Sequence, residues 1–286
     1  MLCSENDFKN LKKSCRTIKI VLFLGGFGPV FLAFARSCSA QGINVYLLDI
    51  SNKLSHSTLY SSSVSGFGHI TPDLIGTSKG ISRILEYVDS IGAEAIATAG
   101  DSELLWLAQN RSLFDERCKV LAPAFSTLRL LASKKQQIVL AKKANFDILP
   151  TWYLSVPEDY RKAPTESFPI CLRPSTDGTV KPGLKAKVIS SPGELFRFLT
   201  RLELISAPII AQPFQNSPSL IVHGVRSESG QIIALRAFSV PRKFEGLALV
   251  LNETTLPEKI RKPCEQFAHD SSITGAFHYD LIFSPN

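Results

Sequence analysis

The residues best suited to chemistry lie in the stretch Phe168–Gly178, FPICLRPSTDG. Ile170, Cys171 and Leu172 read as a short buried strand. Arg173 emerges from it, and Pro174, which has no N–H, ends regular pairing. A small polar loop follows: Ser175, Thr176, Asp177 and Gly178. A permanent guanidinium charge at the end of a buried strand is costly unless an anion meets it. A flexible loop beside it can offer backbone N–H groups to the same anion. Phosphate satisfies both demands. An Arg paired to a structural carboxylate is the other reading, and these residues alone do not separate the two.

The elements around this stretch divide the chain in two. Ile18–Leu24 is a continuous apolar run of buried-strand length, Gly25–Pro29 a tight loop, Val30–Ala40 a helix and Ile43–Leu48 a second strand ending at Asp49. Residues 51–80, rich in Ser and Gly, read as the least regular part. A helix over Ile81–Ile91, a strand over Ala95–Ala99 and a helix from Asp101, with Asp101 as its N-cap, continue the alternation. This predicts a small parallel sheet with helices on its faces. Thr127–Ala144 then reads as one long helix carrying Lys134, Lys135, Lys142 and Lys143. Strands follow at TWYLS, at ICL, over Leu184–Ile189 and at PIIAQPF, with a helix after Pro192. Leu220–Val225 and Gln231–Ala237 flank the turn Ser-Glu-Ser-Gly, a hairpin signal. A helix over Pro257–His269 and a final strand over Gly275–Phe283 complete an α+β half with antiparallel hairpins.

Composition narrows the function. With 286 residues the chain suits two domains, and 44% hydrophobic with 20% charged residues is an ordinary globular composition. The net charge of +7 is scattered in small clusters, which suits an anionic ligand. No basic run is interleaved with aromatics, which argues against nucleic acid. Six cysteines, Cys3, Cys15, Cys38, Cys118, Cys171 and Cys264, form no C-x-x-C pair and read as free thiols of a reducing cytoplasm. The apolar stretch Ile18–Phe34 is broken by Lys19, Gly25, Gly26, Gly28 and Pro29, so it does not span a membrane. Gly26 and Gly28 have the G-x-G spacing of a dinucleotide loop, with Asp49 ending the next strand. Phe31 stands at the third glycine position, and Pro29 lies inside the motif. The five histidines, His56, His69, His223, His269 and His278, lack metal-ligand spacing.

The ordered set Ser133-Lys134, ANFDILPTWYL, FPICLRP, LKAKVISSPGEL, IIAQPF, hairpin and GAFHYDLIF resembles the ATP-grasp superfamily. Its nearest likeness is to the carbamoyl-phosphate-synthase-like branch and to carboxylate–amine ligases of the D-aspartate ligase type. The resemblance implies a lead-in over residues 1–16. A Rossmann-like pre-ATP-grasp α/β domain over 17–120 and an α+β ATP-grasp domain over 121–286 then follow. It implies ATP and Mg2+ as cofactors, with a small-molecule carboxylate and an amine as partners. Homodimer formation stays open. Lys134 and Arg173 match the family's phosphate-contacting basic residues, and one of Lys185 and Lys187 is expected to point at the site. Gln212, Pro213 and Phe214 match the segment that receives adenine; Arg242 and Lys243 match a basic region that reaches phosphate or substrate. Asp280 matches the first magnesium-binding acid. The second, in a Glu-x-Asn pattern, is expected about a dozen residues beyond Asp280. This sequence ends six residues after it, as a fragment or truncated member would. Family members usually carry Glu at or beside Gln212 and an acid where Ser219 stands. The alternatives are a catalytically incomplete nucleotide-binding relative and a Rossmann-type NAD-binding protein.

Overall fold

The structure, a computed structural model, describes residues 18–25, 28–51, 61–176, 180–181, 183–202, 204–244 and 247–282. It falls into two compact units, Met1–Phe125 and Ser126–Asn286. The lead-in and the glycine-loop residue Gly26 lie outside the described residues, as do Asp177, Gly178 and Thr179.

In the first unit, β1 (Ile20–Gly25), β2 (Asn44–Ile50), β3 (Gly66–Ile70), β4 (Ala95–Ala97) and β5 (Lys119–Val120) form a parallel sheet of order β3-β2-β1-β4-β5. The period-2 alternation of β1 serves two cores. Leu22 and Leu24 pack with Ile84 and Val88 of α2 (Ser78–Ile91) and Leu107 of α3 (Asp101–Gln109). Val21 and Phe23 pack in a second cluster with Phe31 and Ala35 of α1 (Pro29–Ser39). Two expectations change. The stretch expected to be irregular contains β3 and the start of α2, which Thr77 caps by accepting from the Gly80 N–H. The N-cap of α3 is Gly100, so Asp101 is its first residue.

In the second unit the long helix expected over 127–144 is two helices. They are α4 (Phe125–Ala132), which begins at the unit boundary, and α5 (Lys134–Lys143). Ser133 between them is extended, and its hydroxyl accepts from the Gln136 N–H at 3.4 Å, which starts a new helix. One antiparallel sheet has the order β6-β11-β7-β9: β6 is Trp152–Leu154, β7 Ile170–Pro174, β9 Lys187–Ile189 and β11 Ile209–Pro213. The strand expected over Leu184–Ile189 is thus only its last three residues. β8 (Val180–Lys181) and β10 (Leu204–Ile205) form a separate pair. Helix α6 (Pro192–Thr200) packs Leu195 and Leu199 against Leu154, Ile170, Leu172, Ile189, Ile209 and Ala211 of the sheet. A second antiparallel sheet has the order β14-β13-β12-β15: β12 is Ser219–Arg226, β13 Ile232–Phe244, β14 Leu247–Thr254 and β15 Gly275–Ile282. Helix α7 (Glu258–Asp270) covers it through Cys264, packed with Leu220, Val222 and Ala237. The hairpin strand expected to end at Ala237 runs on to Phe244, so Arg242 lies inside β13.

Candidate functional site

Register assigns each side chain of the β6-β11-β7-β9 sheet to a face. In antiparallel pairs, directly opposed residues share a face and neighbours along the strand alternate. Ile209, Ala211, Ile170 and Leu172 point into the core under α6. Arg173 opposes Ile210, Cys171 opposes Gln212, and Tyr153 opposes Ile210, so these five share the other face, where Ile210 is buried and Tyr153, Cys171 and Gln212 are half-buried. Arg173 is exposed there. The burial cost that first singled it out therefore does not apply, and its significance rests on its neighbours.

Those neighbours are basic. The Lys134 N–H donates to the Ser175 carbonyl at 2.8 Å, two residues beyond Arg173, which fixes the start of α5 at the end of β7. The Lys135 ammonium lies 5.6 Å from the centre of the Tyr153 ring, on that same face. A helix N-terminus already carries partial positive charge and favours carboxylates. α5 instead begins Lys-Lys, with no acid in its first turn. The start of a helix, two lysines and an arginine thus stand at one corner, an arrangement that suits an anion. Lys187 opposes Leu172, and its ammonium sits 4.7 Å over the Phe198 ring of α6. It therefore belongs to the core side and points away from Arg173. Lys185 is exposed in the loop before β9.

At the far end of β11, the Gln212 amide nitrogen donates to the Thr151 hydroxyl at 2.9 Å. Pro213 has no N–H, and the Phe214 N–H is taken by the Pro169 carbonyl at 2.8 Å. Backbone donors for a ligand therefore begin beyond the three residues expected to supply them, at Gln215. The Phe214 side chain is 40% exposed and can wall a ligand.

On the second sheet, Leu220, Val222 and Ala237 face the core under α7. The opposite face carries Asp280, paired with Ile221, and His278, paired with His223. The two imidazoles are stacked with centroids 6.0 Å apart, and Phe238 meets His223 edge-on at 5.4 Å. Partial burial, and after it the neighbouring His278, push the His223 imidazole below its usual value, while Asp280 pulls it up. Arg236 holds Glu253 at 2.7 Å. Arg242 is exposed opposite Val250, past a register shift in β13. The histidine pair was missed from sequence. His278 and Asp280 are two apart on one strand and so legibly share a face, but the partnership with His223 depends on register. Among the described residues no group of three or more His, Cys, Asp or Glu could hold a metal by itself. Mg2+ needs only one or two carboxylates when phosphate oxygens and water complete its shell, and the exposed Asp280 carboxylate fits that demand.

Phe31 decides the dinucleotide reading of the first unit. Its ring is 1% exposed and lies 5.1 Å from that of Phe23. α1 is therefore held off the sheet by an aromatic layer where a dinucleotide loop needs the close approach that glycine permits. Asp49 is fully buried and accepts from the Ser51 hydroxyl, so it does not present a carboxylate for a ribose.

No protein-family model matches the sequence, and no curated protein matches it. Solved structures do. The biotin carboxylase domain of Hydrogenobacter thermophilus 2-oxoglutarate carboxylase, in complex with MgADP, ADP and bicarbonate, superposes with a TM-score of 0.70 at 16% identity, over 95% of this chain and 62% of that one. L-amino acid ligase from Bacillus licheniformis gives 0.67 at 12% identity, over 94% and 64%. N5-carboxyaminoimidazole synthetase from Staphylococcus aureus, complexed with ADP, gives 0.63 at 15% identity, over 94% and 68%. The chain spans under two thirds of the first two of these proteins. It has the fold of the ATP-grasp enzymes, the superfamily its motif order resembles. No helix among the described residues is long and apolar enough to cross a membrane.

Proposed function

We propose that this chain is an ATP- and Mg2+-dependent ligase that activates a carboxylate as an acylphosphate for attack by an amine. Residues 17–120 serve as a Rossmann-like pre-ATP-grasp domain and 121–286 as the ATP-grasp domain, in the cytoplasm. The observation that carries the reading is the bond from the Lys134 N–H to Ser175, which brings the start of α5 beside Arg173 at one corner of the sheet. The similar structures bound to ADP support the nucleotide class.

In this reading Arg173 and Lys134 hold the phosphates and Lys185 closes over them. Gln212, Pro213 and Phe214 border the adenine, with Phe214 as its wall, and Gln215 offers the backbone donor. Asp280 would hold the metal, which would shield triphosphate charge. A carboxylate oxygen attacks the γ-phosphorus, the bond to the bridging oxygen breaks and ADP leaves. The amine nitrogen then attacks the acyl carbon, phosphate departs and the amine loses a proton. Arg242 is the cation assigned to charge that develops on the transferring group.

A second reading, a nucleotide binder without turnover, is favoured by the pairing of Glu253 with Arg236, which leaves Asp280 as the metal acid assigned on that face. The test compares thermal shifts with ATP and with NAD, then measures ADP release with Mg2+ and a panel of amino acids. Stabilisation by ATP and ADP release that requires an acid and an amine are expected. ATP binding without release selects the second reading, and stabilisation by NAD alone overturns both.

A further inference from the structure

The α6 side of the β6-β11-β7-β9 sheet holds a second concentration of positive charge, separate from the Arg173 corner. α6 turns Leu195 and Leu199 inward, and Arg197, with Arg201 directly after the helix, lies one turn apart on its outer side. With Lys187 of β9, Glu194 and Phe198 they line a concavity of about 190 Å³. Glu194 offsets one of the three cations and leaves a net positive charge. Its carboxylate accepts from the Ser190 N–H at 2.9 Å, and its own N–H donates to the Ser191 hydroxyl at 3.3 Å, so it is occupied in capping α6. Among the described residues, none of Lys187, Arg197 and Arg201 has an ion pair, and the one contact of the Lys187 ammonium is the Phe198 ring.

We infer that this concavity is a binding site for the phosphate or diphosphate end of a small metabolite. Two guanidinium forks one helical turn apart match phosphate oxygens in pairs, and the ammonium adds a point charge between strand and helix. Convergent like charges repel until an anion joins them. The volume admits a phosphate group or two. Lys187 opposes Leu172, whose side chain faces the core, whereas Arg173 faces the other way. The site and the proposed nucleotide corner therefore lie on opposite faces of one sheet, and neither inference depends on the other.

The experiment is calorimetric titration of the whole chain with inorganic pyrophosphate, using wild type, Arg197→Gln/Arg201→Gln, Lys187→Gln and Arg173→Ala. All four positions are exposed, so the variants keep the fold. Saturable pyrophosphate binding is expected to weaken about tenfold or more in the double variant and less in Lys187→Gln. ATP affinity should hold in both, and the site should persist in Arg173→Ala. A double variant that binds pyrophosphate like wild type overturns the inference, as does wild type that does not bind it. Loss in Arg173→Ala alone also overturns it, by assigning all phosphate to the other face. Failure of the nucleotide reading registers separately, as ATP affinity that Arg173→Ala leaves unchanged.

Discussion

Replacing Arg173 by Ala is expected to weaken ATP binding, and replacing Lys187 by Ala to leave it nearly unchanged. The two residues lie on adjacent strands of one sheet, both exposed, but they project from opposite faces. Net charge falls by one in either variant, so any long-range effect of charge is common to both. What differs is a direct contact. A hydrogen bond to a charged group contributes about 1.5–3 kcal/mol. The Arg173 corner is open to water and salt, and Lys134 and Lys135 remain there, so the lower end applies. A loss of about 1.4 kcal/mol is tenfold in the dissociation constant. Folding stability should change little, because exposed substitutions usually stay within about 0.5 kcal/mol. Calorimetry of ATP binding at two salt concentrations, with melting curves as a control, reads both effects. Equal ATP affinities for wild type and Arg173→Ala would refute the reasoning, and so would a larger loss in Lys187→Ala.

Three further predictions concern the metal, the core and pH. Asp280→Asn should abolish most of the gain in ATP affinity that Mg2+ confers while sparing metal-free binding; calorimetry with and without Mg2+ checks this, and an unchanged gain contradicts it. Phe31→Ala empties a fully packed site and should cost about 3–5 kcal/mol in denaturant unfolding; a cost below about 1 kcal/mol would mean that the aromatic layer under α1 is dispensable. Asp270 ties α7 to Lys143 of α5 at 3.3 Å. Burial alone would raise its carboxyl, but hydrogen bonds from His269, Lys143 and Gln266 hold it below the usual range. The stabilisation is therefore present above the unfolded value of about 3.9 and is lost as pH falls through the lower folded value. Asp270→Asn should melt below wild type at pH 7, the gap closing as pH falls through the lowered folded value; a gap that persists below it would show that packing, not charge, is what the substitution removes.

Elements that bury a continuous apolar face were legible in the sequence. β1 shows it: all but its first residue are buried, and IKIVLFL announces that. β3 gave no such signal, because GFGHI has two glycines, buries only Ile70 and lies at the sheet edge. β14 is also an edge strand, with Leu249, Val250 and Leu251 at 58, 40 and 45% exposure, so pairing rather than burial makes it a strand. The break at Ser133 had a local signal in Ser133-x-x-Gln136, the pattern of a capping box, inside what otherwise reads as one helical run. Arg173 could be singled out because its charge interrupts an apolar strand. The face it shares with Gln212 and Tyr153, and the opposite face taken by Lys187, depend on register between strands far apart in sequence. His223 and His278 are hidden in the same way.

α5 matters more to the site than its single matched residue suggests. Its first N–H is bonded to Ser175 at the end of β7, beside Arg173. Its last turn is ion-paired through Lys143 to α7, which covers the sheet that carries Asp280. Phe146, just past the helix, packs on the Tyr279 ring at 6.5 Å, one residue from Asp280. A ten-residue helix therefore spans from the end of β7 to the sheet that carries Asp280. Its rise of about 1.5 Å per residue sets that separation at about 15 Å. A helix of this length is marginal by itself, so tertiary contacts at its two ends hold it. The two lysines at its start face an unfavourable dipole. That cost is tolerable where both ends are pinned.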